Sequence, residues 1–425
     1  MTTAAIPFDL VPTQIPTVRG RVSPSARPMS AVHWLALAAV WLTFAASGVV
    51  FSEPAPVDVL GIGLCVLLPL IGLVAVSPML LGYLAVWLVA ASGAFLAASF
   101  SRDIGDSTIH TTVSLYLYVH SFVIAAFVAK RPERHVTIIM TAWLAAALVA
   151  ATAGVIGYFG LLPGSEIFTK FGRAAGTFKD PNVFGPFLVP PLLFCLHTAI
   201  NGSAARAILA LGVSGFLAVA VLLSFSRGAW MVLALSTVVY AWLSYVTAST
   251  NRQRLRIIGL GLAAVGVGAL AVFAALQIDG VSDLLAQRAS MTQSYDVGPD
   301  GRFGGQQKAI GLILDHPLGI GAQQFAPVYH HEEVHNVFLS IVLNAGWLGG
   351  GMYWIAVALT IVLGARHVLR ASAMRPMFII AYATFLATAL EGFIIDSDHW
   401  RHFYVLMALV WGLMAARRTD AAHDT

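Results

Sequence analysis

The chain has 425 residues, of which 58% are hydrophobic and only 10% are Asp, Glu, Lys or Arg. Soluble proteins average about 45–50% apolar and about 25% charged residues, so this composition excludes a soluble globular protein and indicates a polytopic membrane protein. The net charge of +4 follows from Lys and Arg in loops on one side of the membrane, so it gives no reason to expect a nucleic-acid partner.

Residues 1–30 are rich in Pro, Ser and Thr and carry three arginines, which predicts a disordered basic tail. The first apolar run, 31–51, is long enough to cross a hydrocarbon core of about 30 Å and too long for a signal-peptide core, so we expect a retained anchor. Further spans are predicted near 57–76, 78–99, 108–129, 135–160, 183–200, 205–224, 228–247, 256–276, 336–364, 376–395 and 402–416.

These runs predict an all-α membrane protein with about twelve transmembrane helices. If the tail is cytoplasmic, both termini lie inside, and 15 of the 24 Lys and Arg residues fall in cytoplasmic segments, as the positive-inside rule requires. We therefore divide the chain into a cytoplasmic tail, a nine-helix membrane region, a periplasmic catalytic loop, three C-terminal helices and a second cytoplasmic tail: 1–30, 31–276, 277–335, 336–416 and 417–425. Membrane lipids surround such a chain.

Several basic residues lie on the predicted outer side, against the charge rule. Arg227 sits in SFSRGAW, between two spans with almost no loop, so its guanidinium must pair with an acid or bind an anionic ligand. Arg173 and Lys179 lie in KFGRAAGTFKDPNVFG, beside a turn that can present backbone N–H groups. Arg302 follows the turn PDG. Because the planar arginine fork contacts phosphate in a bidentate way, these residues predict a diphosphate site.

His335 precedes the tenth predicted span, at the membrane–water boundary. An imidazole there can accept a proton from a hydroxyl near neutral pH. A lone histidine at a helix start is usually a structural residue that bonds to backbone. Because Arg302, His331 and Asn336 occur in the same stretch, we instead interpret His335 as a general base with substrate-binding residues near it.

Two other interpretations use the same residues or the same class of fold. His331 to His335 spells H-E-x-x-H, the pattern of a zinc protease, with a third ligand sought in the motif DSDH at 396–399. That pattern requires both imidazoles on one helix, whereas the polar residues HHEE precede the apolar run that is predicted to form the helix. A transporter would need ionisable residues at mid-depth in the membrane. The predicted spans hold few such residues, namely His110, His120, His197 and Glu391.

The motifs GRAAGTFKDPNVFG, SFSRGAW, GRFGGQQKAIGLILDHPLGIGAQQF and VHNVFLSIVLNAGWLGG, in this order, resemble the O-antigen ligase family. The superfamily also contains Wzy-type O-antigen and exopolysaccharide polymerases and bacterial O-oligosaccharyltransferases. The resemblance covers residues 170–350 by motif and the whole chain by topology, since these proteins have about twelve helices and a large periplasmic loop between the ninth and tenth. Polymerases often show Arg-x10-Gly in this region, but Arg173 is separated from Gly185 by eleven residues, which favours a ligase.

The resemblance implies a GT-C-like glycosyltransferase in the bacterial inner membrane. It would move a glycan from undecaprenyl diphosphate to an acceptor hydroxyl, on lipid A-core or another glycan or lipid, without a metal or another cofactor. By the same resemblance, Arg227 and Arg302 hold the diphosphate, and His335 is the general base on the acceptor.

Overall fold

The computed structural model describes residues 31–275, 277, 298–299 and 301–416. The predicted tails and most of 276–300 lie outside the described residues. Apart from one short hairpin and a 3₁₀ helix at Ser165–Phe168, the regular secondary structure of the described chain is α-helical. Its helices are α1 Ala31–Ala46, α2 Pro56–Leu70, α3 Pro78–Ser99, α4 Ile104–Lys130, α5 Pro132–Phe159, α6 Pro181–Asn201, α7 Ala204–Leu223, α8 Arg227–Val246, α9 Asn251–Ala275, α10 Arg302–Asp315, α11 Phe325–Val328, α12 Val337–Val368, α13 Arg375–Glu391 and α14 Arg401–Ala415.

Seven of these helices, α3 to α8 and α12, are long and apolar enough to cross a membrane. The helices α1, α2 and α14 are also apolar but shorter. Every predicted span coincides with a helix, so the expected all-α polytopic membrane protein is confirmed. Twelve crossings, and the side of the membrane on which each loop lies, stay predictions.

An aromatic cluster holds the centre of the bundle. Trp87 of α3 stacks on Tyr118 of α4 at 4.3 Å between ring centroids, and its edge meets Tyr353 of α12 and Tyr404 of α14. These rings are almost fully buried. Such pairs contribute about 0.5–1.5 kcal/mol each beyond the area they bury. The cluster therefore ties together the helices whose ends carry the polar loops.

α12 is bent at Gly346, where the backbone has φ 69° and ψ −178°. The preceding loop fits into this bend, because Trp347 N–H donates to the Pro317 carbonyl at 2.9 Å. Gly319 also approaches so closely that a Cβ there would lie 2.5 Å from the Gly346 nitrogen. The glycines of GIG and NAGWLGG thus let the loop pack directly against the helix backbone.

The described part of the loop before α12 has a small core of its own. Ala309 of α10, Phe325 of α11 and Val334 pack with Leu343 of α12 and Ile320. This core fixes α10 and the 330–335 segment against the first turns of α12. The position of residue 335 is thereby set by packing on two sides.

Candidate active site

The segments 47–55, 160–180, 224–226, 301–336 and 392–400 connect helices at one end of the bundle, which we name the loop end. Within 160–180, β1 Thr169–Lys170 and β2 Arg173–Ala174 form an antiparallel hairpin. Ion pairs and hydrogen bonds between these segments, given below, show that they meet. The predicted site residues all lie at this end.

Arg173 is buried and binds protein atoms. Its Nε donates to the Ser224 carbonyl at 2.7 Å, and its Nη2 donates to Asn182 Oδ1 at 2.8 Å. The side chain therefore ties the hairpin to the start of α6 and to the α7–α8 turn. We predicted substrate binding for Arg173, and the structure gives it these structural contacts.

Arg227 is the first residue of α8, after a tight turn in which Phe225 has a φ of 45°. Ser226 caps the helix, since its hydroxyl accepts from the Ala229 N–H at 3.3 Å. At the next position, Gly228, a Cβ would collide with a carboxylate oxygen of Glu391, the last residue of α13. Close packing between the Ser-Arg-Gly turn and the end of α13 therefore places an acid against Gly228, the residue after Arg227, which sequence spacing did not show.

Glu391 is fully buried, and neither of its carboxylate oxygens has a hydrogen-bond partner within the described parts of the chain. Arg302 lies at the same junction, because its Nη1 donates to the Ile394 carbonyl at 3.4 Å in the loop that follows α13. The end of α13 thus packs against Gly228, next to Arg227, and the loop that follows it contacts Arg302.

His335 is held by a carboxylate from the same loop. The His335 N–H donates to Asp396 Oδ2 at 2.8 Å, and the Asn336 N–H donates to Asp396 Oδ1 at 3.2 Å. His335 has a left-handed φ of 52°, which a residue with a side chain rarely adopts without such support. Asn336 in turn caps α12, with its Oδ1 accepting from the Phe338 and Leu339 N–H groups. We predicted substrate binding for Asn336, and the structure uses its side chain as a helix cap.

The surroundings of His335 keep its imidazole neutral. Burial lowers its pKa, and the Arg302 charge lowers it further. Glu332, whose Oε2 lies 3.6 Å from His335 Nε2, and Asp180 both act in the opposite direction. A neutral imidazole at neutral pH can accept a proton. Burial, followed by the neighbouring Asp398, also raises the pKa of Asp396 to about 7.

Two further residues, Lys179 and His331, were predicted to bind substrate. Lys179 forms an ion pair with Glu53, with 2.9 Å between Nζ and Oε2. The His331 ring packs on the His330 ring at 4.5 Å between centroids. Lys179 therefore contacts Glu53 and His331 contacts His330, and neither of these contacts involves His335.

The zinc-protease interpretation loses its structural premise. Residues 331–335 form no helix, so its two imidazoles are not one helical turn apart. A different set could hold a cation, because one ligand atom each of His110, Asp398 and His399 lie within 4.8 Å of one another. Two imidazoles and a carboxylate are a donor set suited to a divalent transition metal.

Sequence reasoning did not predict the contacts that Asp396 and Glu391 make at this end. It considered the motif DSDH only as the source of a third zinc ligand, and Glu391 only as one of the few ionisable residues in the predicted spans. The usable signal was that two acids occur within six positions of an otherwise apolar stretch. Carboxylates in such a place need partners, and arginines and histidines on other loops were available.

The fold and the site define a polytopic membrane protein with arginine, histidine and carboxylate side chains gathered at one end of its helix bundle. A family model described as O-antigen ligase matches residues 212–355, from α7 to α12. This segment contains Arg227, Arg302 and His335, and the match supports the resemblance to the O-antigen ligase family that the motifs indicated. No curated protein matches the chain.

Proposed function

We propose that the protein is a glycosyltransferase of the O-antigen ligase type. It transfers a glycan from undecaprenyl diphosphate to an acceptor hydroxyl, on lipid A-core or a similar molecule, at the periplasmic face of the bacterial inner membrane. The observation that carries this proposal is the position of His335, next to the Arg302 charge and held by Asp396, within the segment that matches the family.

Arg227 and Arg302 bind the diphosphate of the donor. Two guanidinium groups can each make bidentate contacts with phosphate oxygens, and their charge stabilises the diphosphate as it leaves. This clamp does the work for which other glycosyltransferases use a divalent metal. The end of α13 packs against Gly228 through the buried Glu391, and this packing fixes the Ser-Arg-Gly turn that carries Arg227.

His335 acts as the general base. Its imidazole takes the proton of the acceptor hydroxyl while the hydroxyl oxygen bonds to the anomeric carbon of the donor sugar. The bond from that carbon to the phosphate oxygen breaks, and undecaprenyl diphosphate leaves with the bonding electrons. A positioned base contributes about 10²–10⁴-fold to such a step. A Wzy-type polymerase would use the same residues with a growing glycan as acceptor, so the acceptor used distinguishes the two.

The test is transfer by purified protein from an undecaprenyl-diphosphate glycan, in EDTA, to lipid A-core or to a second glycan. We expect His335→Ala to lower kcat by about 10²–10⁴-fold and Arg302→Ala by about 10²–10³-fold. His316→Ala, an exposed histidine at the end of α10, is the matched control and should retain activity.

Activity that EDTA abolishes and zinc restores would overturn the proposed clamp. Unchanged kcat in His335→Ala would overturn the assignment of the base. Transfer to lipid A-core would identify a ligase, and transfer only to a second lipid-linked glycan would identify a polymerase.

A further inference from the structure

A cavity of about 210 Å³ opens at the loop end, between α1, α2, α4, α5, α6 and α14. It adjoins the candidate active site, because Asp396, which holds the His335 backbone, also lines the cavity. Asp180, whose charge acts on the His335 pKa, is a second shared residue. The arginines Arg227 and Arg302 are not among the lining residues.

Part of the cavity wall is aromatic. Phe44, Tyr116, Trp143, Phe178 and Phe187 line it, on α1, α4, α5, the 160–180 segment and α6. A ligand pocket typically combines such apolar walls with a few placed polar groups. The flat C–H face of a pyranose ring fits an aromatic wall, while its hydroxyls point to the polar groups.

The polar wall carries more acids than bases. Four carboxylates line the cavity and only two cations, Lys179 and Arg401. Both cations are already bound, Lys179 to Glu53 at 2.9 Å and Arg401 to Asp58 at 2.6 Å. The remaining lining carboxylates are those of Asp180, Asp396 and Asp398. This wall repels a phosphate and offers acceptors to sugar hydroxyls.

Two buried imidazoles complete the lining. His120 is 6% exposed and His402 is 4% exposed, and the Nε2 atom of each has no hydrogen-bond partner in the described residues. Both residues line the cavity. Buried polar atoms are normally satisfied, and a hydroxyl can serve as donor or acceptor to a ring nitrogen. The cavity therefore presents both unsatisfied nitrogens and carboxylates to a ligand.

We propose that this cavity binds one uncharged sugar residue of the acceptor, and that the protein selects against an acceptor with a phosphate on that sugar. The cavity is smaller than the roughly 300–1,000 Å³ of sites for drug-sized ligands, so it takes a single ring. The inference rests on the proposed function, since it assigns the acceptor side of the same site. Asp396 joins the cavity to His335, because its side chain lines the cavity and its oxygens accept from the His335 and Asn336 N–H groups.

The first test measures binding without any donor. Saturation-transfer NMR is recorded on the purified full chain with methyl glycosides of glucose, galactose, N-acetylglucosamine and rhamnose, and with glucose 6-phosphate. We expect a signal from at least one methyl glycoside and a response at least tenfold weaker from the sugar phosphate. Ser47→Trp, just after α1, places a large side chain in the cavity and should abolish the signal, whereas Leu42→Trp on the exposed face of α1 should not.

The second test reverses the charge at one position of the polar wall of the cavity. Glu53→Lys removes one carboxylate and adds a cation at the cavity, so the discrimination against glucose 6-phosphate should fall several-fold. Glu166→Lys makes the same change at an exposed position outside the cavity lining and should leave the discrimination unchanged. The Glu53→Lys variant also keeps the proposal testable if Ser47→Trp does not fold.

Failure of this inference can be told from failure of the proposed function. Binding of no methyl glycoside, equal binding of the phosphate, or an unchanged signal in Ser47→Trp would overturn the cavity assignment even if transfer is observed. Sugar binding with the expected variant effects, in a protein that transfers nothing from undecaprenyl diphosphate, would support the cavity assignment and refute the donor assignment.

Discussion

Asp396→Asn tests whether the carboxylate that holds the His335 backbone controls catalysis. Asp396 accepts one hydrogen bond from the His335 N–H at 2.8 Å and one from the Asn336 N–H at 3.2 Å. An amide keeps the size of the side chain and one acceptor oxygen, but it turns an NH2 group toward the second N–H. One of the two bonds is therefore lost.

The size of the effect follows from these contacts. A hydrogen bond to a charged group contributes about 1.5–3 kcal/mol, and the left-handed backbone of His335 is itself disfavoured by roughly 1–2 kcal/mol. A loss of about 1.4 kcal/mol changes a population tenfold. We therefore expect the productive conformation of His335, and with it kcat, to fall about 10- to 100-fold in Asp396→Asn.

The assay is the steady-state transfer reaction over a pH series. The plateau of kcat should fall while KM for the donor stays unchanged, because Asp396 positions the base and does not bind the diphosphate. Asp315→Asn, an exposed acid at the end of α10, is the control. An unchanged kcat, or a rise in donor KM alone, would refute the positioning role of Asp396.

Three further perturbations test other parts of the site. Glu332→Gln removes a charge that raises the His335 pKa, so the acidic limb of the rate profile should move to lower pH; a shift to higher pH would contradict this sign. Gly228→Ala drives a Cβ into the Glu391 carboxylate and should cost about 1–3 kcal/mol of stability, measured by thermal unfolding, together with most of the transfer activity; a variant with wild-type stability and rate would show that this packing is unimportant. His110→Ala should leave transfer in EDTA unchanged if the cation-capable cluster has no catalytic function, and a zinc-dependent rate lost in this variant would show that it has one.

The helices were predictable because a run of about 20 apolar residues has few alternatives in a bilayer. Their ends were less predictable, because polar first turns lower the hydropathy. α4 begins at Ile104 and not near residue 108, since Asp103 caps it by accepting from the Asp106 N–H at 3.0 Å. α13 ends at Glu391, before the predicted 395, where the buried acid meets the Ser-Arg-Gly turn. Caps and contacts of this kind decide a boundary after the apolar run has fixed the helix.

The sequence predicted which residue types belong to the candidate site, but not which groups their side chains contact. His335 and Arg302 were singled out by charge and place, and the structure brings them near each other through the 392–400 loop. Arg173 was chosen by the same criterion, yet its guanidinium binds Ser224 and Asn182. Sequence shows that an arginine lies at a boundary, but only tertiary packing shows which groups its nitrogens reach.

The same packing separates two kinds of charge at the loop end. The arginines predicted for the diphosphate lie at the Ser-Arg-Gly turn and the start of α10, whereas carboxylates outnumber cations in the cavity wall. The charge of Arg302 acts on the His335 imidazole, and Asp396 of the cavity wall holds the His335 backbone. A phosphorylated acceptor would compete with the donor for the arginines, whereas an uncharged sugar would not. Opposite charge at the two arginines and at the cavity wall is thus a physical means of keeping the donor and the acceptor in their own places.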